Sequence, residues 1–134
     1  MIKTVIDAVI SAIKDTGADR VYSAFDAVPI EYKGRDIFTT VGVSSLECSA
    51  PIFTGFKVYI PFSAETEINI TAPKELSAGA LYDYYTEYIS AAVGEISGLS
   101  SSLKKLLIKY DSNISRLVLT VRVAVSGISS TERS

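Results

Sequence analysis

The chain of 134 residues contains no histidine and only one cysteine, Cys48. The absence of histidine excludes the commonest general base, the commonest metal ligand and every catalytic triad that depends on an imidazole. A single cysteine excludes an intramolecular disulfide, a CxxC redox motif and any zinc site of recognised spacing. We therefore predict no catalytic residue, no metal and no cofactor, and we interpret the chain as a non-enzyme.

Basic residues are also scarce, because 13 lysines and arginines are outnumbered by 15 aspartates and glutamates. A general nucleic-acid-binding protein needs a basic face that displaces counterions, so we expect no sequence-specific nucleic-acid partner. Uncharged apolar runs are too short to span a membrane, and polar residues interrupt the N-terminal segment before any signal-peptide cleavage site. We expect a protein that is made in the cytoplasm and does not contact a membrane.

Two short matches to chemical motifs carry little weight. Ser101 and Lys104 have the S-x-x-K spacing that lets a lysine activate a serine one helical turn away, but neither companion motif is present. Residues 111–113 (DSN) resemble the start of a calcium-binding loop without its glycine and final glutamate, so we interpret them as a turn. An enzyme that uses carboxylates brought together by folding remains an alternative, because sequence spacing does not exclude it.

The first segment has the pattern of an amphipathic helix. Its apolar residues recur at helical spacing, while lysine, aspartate and serine occupy the remaining positions. The apolar stripe consists of Ile2, Val5, Ile6, Val9, Ile10 and Ile13. Gly17 is well placed to end the helix in a left-handed cap. We expect the stripe to pack against a sheet.

Alternating and β-branched residues dominate the middle of the chain. Residues 36–49 predict one strand, and residues 56–62 and 66–72 predict two more. The link SAET, residues 63–66, is short enough to join the last two as a hairpin. Pro61 has no N–H to donate, so we expect a bulge, a strand end or a sheet edge there.

The second half predicts a helix followed by a β-hairpin. Ser77 is the expected N-cap of a helix over residues 78–97, which Gly98 ends, and residues 98–102 (GLSSS) are interpreted as a linker. Residues 106–111 and 115–128 predict two antiparallel strands, and the polar tail 129–134 is expected to be mobile. The element order predicts an α+β fold: a single domain over residues 1–128, with a mixed or antiparallel sheet and two helices on one face.

Four of the eight tyrosines lie in LYDYYTEY, residues 81–88. On a regular helix, Tyr85 lies at the centre of the apolar stripe, and Tyr82 and Tyr88 lie at its borders. Tyr84 lies outside the stripe, where an exposed tyrosine is typical of a subunit interface. We therefore predict that Tyr82, Tyr84 and Tyr88 belong to a subunit interface.

Two further surfaces are candidates for subunit contacts. Residues 20–25 (RVYSAF) predict a short strand or an extended arm, and Tyr22, Phe25 and the nearby Pro29 would contact a neighbour there. Arg116 and Arg122 share one face of the longest predicted strand. They would either pair with carboxylates of a neighbouring subunit or form a solvated polar face.

The whole pattern resembles the tail terminator and tail completion proteins of long-tailed bacteriophages and prophages. The segments that carry the resemblance are, in order, MIKTVIDAVISAIK, RVYSAFDAVP, FTTVGVSS, FKVYIPFSAETEINI, LYDYYTEYISAAV and SRLVLTVRVAVSGI. The match lies in element order and size rather than in a catalytic fingerprint, so it assigns no functional residue.

The resemblance implies a small α+β subunit of a homo-oligomeric, hexameric ring that caps the tail tube and joins it to the head or neck. Its partners would be copies of itself, the tail tube protein and head-neck proteins. Its location would be the virion tail, after synthesis in the cytoplasm of the bacterial host. The alternative from another class is a small non-catalytic module that binds a ligand or peptide through aromatic residues over the sheet.

Overall fold

Two helical segments lie on one face of a six-stranded mixed sheet. The computed structural model describes residues 2–18, 20–24, 37–73, 75–94, 96, 98–112 and 116–132. The elements, in chain order, are α1 (Ile2–Lys14), β1 (Val21–Ser23), β2 (Phe38–Cys48), β3 (Ile52–Thr54), β4 (Lys57–Pro73), α2 (Ala78–Tyr84), a π-helical turn (Tyr85–Ile89), α3 (Ser90–Val93), β5 (Ser100–Asp111) and β6 (Arg116–Glu132). This arrangement confirms the predicted α+β class and the single domain with helices on one face.

Two long strands, β4 and β6, form the centre of the sheet. The strand order is β1-β2-β4-β6-β5, and β3 pairs with the first residues of β4 beyond the end of β2. The pairing of β1 with β2 is parallel, whereas the other described pairs are antiparallel. The β4–β6 ladder runs without a break from Lys57 opposite Glu132 to Pro73 opposite Arg116. The shorter strands therefore leave parts of this central ladder without a neighbour.

The predicted hairpin at residues 63–66 is wrong, because β4 continues straight through that link. Ala64 and Thr66 are buried on the helix-bearing face, while Ser63 and Glu65 lie on the other face. The alternation therefore continues without a break from Phe62 through residues 63–66. The link also contains no glycine, proline or asparagine that would favour a tight turn.

The hairpin of this region lies earlier, between β3 and β4. Thr54 stands opposite Lys57, so only Gly55 and Phe56 form the loop. Gly55 has φ of +47°, the left-handed conformation that a two-residue hairpin loop requires at its first position. The segment that we expected to be a connection therefore contains β3 and the turn.

Pro61 interrupts the neighbouring strand rather than its own. It lies within β4, opposite Ile128 of β6. On its other side the Ser49 N–H donates to the Pro61 carbonyl at 2.8 Å, but proline has no N–H to return the bond. Since β2 ends at Cys48, the missing donor falls where that ladder stops.

Helix α1 supplies one side of the core, as its apolar stripe predicts. Its buried residues are Val5, Ile6, Val9 and Ile13. They pack with alternate residues of β4 and β6, which are fully buried along the helix-bearing face. Fully burying an aliphatic side chain of this size contributes about 1.5–3 kcal/mol. Gly17, at φ of +109°, follows the helix as expected.

The second helical segment begins where predicted and ends early. Ser77 is its N-cap, because its hydroxyl oxygen accepts a hydrogen bond from the Ala80 N–H at 3.3 Å. The helix stops at Val93 with Gly94 as C-cap, and Gly98 has φ of +77° in the connection to β5. The predicted end at residue 97 is therefore wrong by about one helical turn.

Both C-terminal strands are longer than predicted. The expected linker is already part of β5 from Ser100, which pairs with Ser126. The expected mobile tail from residue 129 instead continues β6 to Glu132, paired with the start of β4. Serine-rich composition misled both predictions, because ladder hydrogen bonds use the backbone and extend wherever a partner strand is present.

Candidate functional site

The tyrosine-rich segment contains a π-helical turn, Tyr85–Ile89, between α2 and α3. Such a turn adds a residue to the helical repeat and shifts the phase of the residues after it. Leu81 and Ile89 are fully buried, whereas Tyr85, between them in the predicted stripe, is only partly buried. The burial is still sufficient to raise the pKa of the Tyr85 phenol. The prediction that Tyr85 lies at the centre of the core is therefore replaced by a place at its border.

Hydroxyl groups satisfy carbonyl groups around this turn. Thr86 Oγ1 donates to the Tyr82 carbonyl at 3.0 Å, and Ser90 Oγ donates to the Thr86 carbonyl at 2.9 Å. Bonds of this kind, to the carbonyl four residues earlier, bend helices. Thr16 Oγ1 lies 2.8 Å from the Tyr88 carbonyl and ties the end of α1 to the turn. The irregular helix is therefore anchored by side chains that periodicity does not reveal.

The predicted tyrosine interface is only partly at the surface. Tyr82 is 46% exposed, whereas Tyr84 and Tyr88 pack against the core with their ring centroids 4.7 Å apart. The outward position expected for Tyr84 is wrong, because the two rings contact each other and the core. A role for these tyrosines in subunit contacts stays a prediction. Phe25 and Pro29, from the predicted arm, lie outside the described residues.

Arg116 is buried within its own chain, on the face of the sheet opposite the helices. Its guanidinium carbon lies 4.9 Å from the centre of the Phe38 ring, and Nη2 donates to the Thr71 carbonyl at 3.3 Å. The Tyr22 ring meets Phe38 edge-on at 6.4 Å. With only 4% of its surface exposed, Arg116 does not lie on the solvated face that we expected. The reason is that cation–π and hydrogen-bond partners of the same chain surround it.

Arg122, on the same face, belongs to a polar row across the central strands. It stands opposite Glu67, and its Nε has no hydrogen-bond partner within the described part of the chain. Next to it, Asn69 Nδ2 donates to Glu67 Oε1 at 3.3 Å, and Thr120 Oγ1 donates to Asn69 Oδ1 at 2.7 Å. Arg122 is half-buried, so its use in a subunit contact stays a prediction.

Ser101 and Lys104 do not form a catalytic pair. Both lie in β5, where three residues of extended chain span about 10 Å rather than one helical turn. The Ser101 hydroxyl donates to the Val93 carbonyl and so links β5 to the end of α3. Over the described residues, no group of three or more histidine, cysteine, aspartate or glutamate side chains is placed to hold a metal ion.

A cluster of exposed apolar side chains marks the end of the sheet at the β3–β4 turn. We call this cluster the hairpin tip; it consists of Ile52, Phe53, Phe56 and Ile128. Phe56 is 86% exposed and Phe53 is 62% exposed. Ile128 in β6 and Ile52 in β3 lie on either side of β4, opposite Pro61 and Tyr59. Composition and periodicity did not single out these residues, because Ile52 and Phe53 lie outside the predicted strands and Phe56 and Ile128 lie at the ends of predicted strands.

A second group of exposed apolar side chains follows strand β5, which forms one edge of the sheet. These residues are Leu103, Leu106, Leu107 and Tyr110, each between 39% and 49% exposed. Lys104, Lys105 and Lys109 lie between them and are exposed as well. Lysines on an edge strand are a common means of limiting uncontrolled strand pairing. The β5 edge therefore combines features of an interface with features of a protected edge.

A groove of about 450 Å³ lies between α1 and β1. Ile2, Ile6, Ile10 and Val21 give it an apolar lining, with Lys3, Asp7 and Lys14 beside them. Small-molecule sites usually combine an enclosed apolar cavity with a few convergent polar groups. This groove has the apolar wall of such a site, although its charged groups come from successive turns of one helix.

Comparison with known proteins adds little to this description. No protein-family model matches the chain, and no curated protein matches it. Among solved structures, it is similar to the type 4 fimbrial biogenesis protein PilO from Pseudomonas aeruginosa, with 12% identity over 96% of this chain and 72% of that chain and a TM-score of 0.36. The core region of PilO from the type IV pilus system of Pseudomonas aeruginosa matches 68% of this chain and 79% of that chain, with 11% identity and a TM-score of 0.26. Similarity at this level carries no argument about function.

None of the described helices has the length and apolar character needed to span a bilayer.

Proposed function

We propose that this chain is a non-catalytic structural subunit of a protein assembly, namely a ring-forming component of a phage or prophage tail. The observation that carries the proposal is the exposure of large apolar side chains at two separate places, the hairpin tip and the β5 edge. Monomeric soluble proteins rarely leave contiguous apolar patches uncovered unless those patches bind something.

A ring-forming subunit needs surfaces that reach its neighbours, and the hairpin tip is suited to one of these contacts. In a cyclic ring each subunit contacts one neighbour through one surface and the next through a different surface. The hairpin tip projects from one end of the β4–β6 ladder, where β2 and β5 have already ended. A projecting apolar hairpin is suited to reach a neighbouring subunit, because its phenylalanine side chains are exposed.

The tail of a long-tailed phage is the assembly that the element order of the sequence resembles. In such an assembly the subunit would form a hexameric ring, contact the tail tube protein and present a surface to head-neck proteins. The exposed apolar side chains of the described residues support the surface-based part of this proposal.

A ligand- or peptide-binding module is the second candidate, favoured by the groove between α1 and β1. Its aliphatic wall would take an apolar ligand. In a thermal-shift screen, a ligand of this groove would raise the melting temperature, and Ile6→Ala or Ile10→Ala would reduce that increase.

The oligomeric state tests the assembly proposal. We expect light scattering after size-exclusion chromatography to show a concentration-dependent oligomer, with six copies as its closed form. Phe53→Ser combined with Phe56→Ser should shift the midpoint of association at least tenfold, because it removes the two most exposed phenylalanines of the hairpin tip.

Leu76→Ser is the matched control, since Leu76 is also an exposed apolar residue, at 37%, but lies outside the hairpin tip. It should leave the midpoint of association unchanged. A chain that stays monomeric at high concentration, both alone and with tail tube protein, would exclude the proposal. Flanking genes for capsid, tube and tape-measure proteins would support the tail in particular.

A further inference from the structure

The outer edge of β5 has no partner strand among the described residues. β5 ends the strand order of the sheet, and its inner edge pairs with β6 from Ser100 to Asp111. A bulge between Leu103 and Lys105 divides it, so residues 105–111 form its longest regular stretch. An edge of this length presents a row of backbone donors and acceptors to any strand that approaches it.

Residues 105–111 also expose apolar side chains on both faces of the sheet. Leu106, Ile108 and Tyr110 point to the helix-bearing face, because their partners in β6 lie there. Lys105 and Leu107 point to the other face, and Leu107 is 40% exposed. A partner strand that extends the sheet would therefore cover apolar surface on two sides as well as complete the ladder.

We propose that β5 pairs with β5 of a second copy of this chain, antiparallel, around a two-fold axis at Ile108. Directly opposite residues in an antiparallel pair project from the same face, so the axis must pass through a residue and not between two residues. Centring on Ile108 places Leu106 opposite Tyr110 and Lys105 opposite Asp111, twice each.

Charge selects this register over its neighbours. If the axis passed through Leu107, Lys105 would stand opposite Lys109 in both halves of the pair. If it passed through Lys109, the two copies of that lysine would stand opposite each other. Like charges in directly opposite positions destabilise a sheet, whereas opposite charges contribute favourably. Of these three registers, only centring on Ile108 pairs the full stretch 105–111. It places Leu106 opposite Tyr110, Ile108 opposite its own copy, and Leu107 opposite the aliphatic part of the Lys109 side chain.

The pairing does not depend on the proposed phage-tail function. A two-fold contact closes when two copies have joined, whereas a ring requires two different surfaces. The hairpin tip would supply the ring contact, and β5 would join one subunit or ring to another. The two proposals can be told apart, because one is tested by variants at β5 and the other by variants at the hairpin tip; only a chain that stays monomeric under every condition would exclude both.

Cysteine cross-linking tests the register directly. In a Cys48→Ser background, which removes the exposed native thiol, Ile108→Cys should form a disulfide-linked dimer under mild oxidation. Opposite residues have Cα atoms about 4.5–5.5 Å apart, which is within the range of a disulfide. A mixture of Leu106→Cys chains and Tyr110→Cys chains should cross-link to each other.

Leu106→Cys alone is the matched control for the register. Its two copies would lie about 13 Å apart along the paired strands, which is too far for a disulfide. Efficient self-linking of this variant, or failure of Ile108→Cys to link while the variant remains folded by circular dichroism, would overturn the proposal. A chain that stays monomeric would overturn it as well, and would indicate that the edge lysines protect β5 from pairing.

A charge reversal provides a second test without altering the core. Lys105→Glu would place a glutamate opposite Asp111 in both halves of the pair, and should raise the dissociation constant of the dimer several-fold. Lys105 is exposed, so the melting temperature of the monomer should change little. An unchanged dissociation constant would contradict the register.

Discussion

Strand β6 crosses two regions that share a backbone geometry but differ in burial. Leu119, Val121, Val123 and Val125 are almost fully buried, whereas Ile128, a little further along, is 65% exposed. Both regions pair with β4 in one unbroken ladder. The first four side chains point to the helix-bearing face, whereas Ile128 stands opposite Pro61 and points to the other face, which the helices do not cover. The burial of a strand is therefore set by the layer above it and not by the strand's own pattern.

The largest expected effect comes from truncating isoleucine in each region. Ile70→Ala removes a fully buried side chain of β4 and should lower the free energy of unfolding by about 3 kcal/mol. Ile128→Ala, at the exposed end of β6, should change it by less than about 0.5 kcal/mol. Urea unfolding followed by circular dichroism measures both. Equal losses would show that the hairpin tip is part of the core.

A smaller contrast is expected between two arginines on the face opposite the helices. Arg116→Ala removes the contact with Phe38 and the bond to the Thr71 carbonyl, and should cost about 2 kcal/mol of stability. Arg122→Ala should cost less than about 1 kcal/mol, because this side chain is half-buried and its charge is screened by solvent. If Arg116→Ala lost no more free energy of unfolding than Arg122→Ala, the buried arginine would contribute no more to the fold than the half-buried one.

The smallest effect concerns pH and Tyr85, at the border of the core. Burial raises the pKa of this phenol above its ordinary value of 10.0, so the folded state holds the proton more tightly than the unfolded state. The stabilisation is complete below pH 10 and is lost as the pH rises through the folded-state pKa.

Tyr85→Phe should therefore reduce the decline in unfolding free energy above about pH 10. Denaturant unfolding at several pH values between about 8 and 11 measures this, and parallel curves for Tyr85→Phe and wild type would contradict it.

Helix α1 shows how far periodicity alone can reach. Its start, its apolar face and the glycine after it all follow from the spacing of isoleucine and valine. The second helical segment shows the limit, because the π turn shifts the phase after Tyr84. Periodicity assumes a constant rotation per residue and did not show that the Tyr84 ring packs against Tyr88 and the core.

Strand β4 shows the same limit in the sheet. Its alternation could have revealed one continuous strand, but Pro61 and a short polar link suggested a break. The break occurs instead in β2, which ends beside Pro61. A proline's effect depends on which neighbour its missing N–H faces, and only the register of the strands decides that.

The exposed apolar surfaces could not be predicted from the sequence. The spacing of apolar positions along a chain does not distinguish a covered leucine from an exposed one, so Phe56 and Leu106 gave no signal of their exposure. By itself, the amino-acid sequence determined the α+β class, the first helix, the C-terminal pair of strands and the absence of histidine chemistry, because these depend on composition and local periodicity. The tertiary structure decided the single long β4, the burial of Arg116 and the two exposed apolar surfaces, because these depend on which elements lie next to one another.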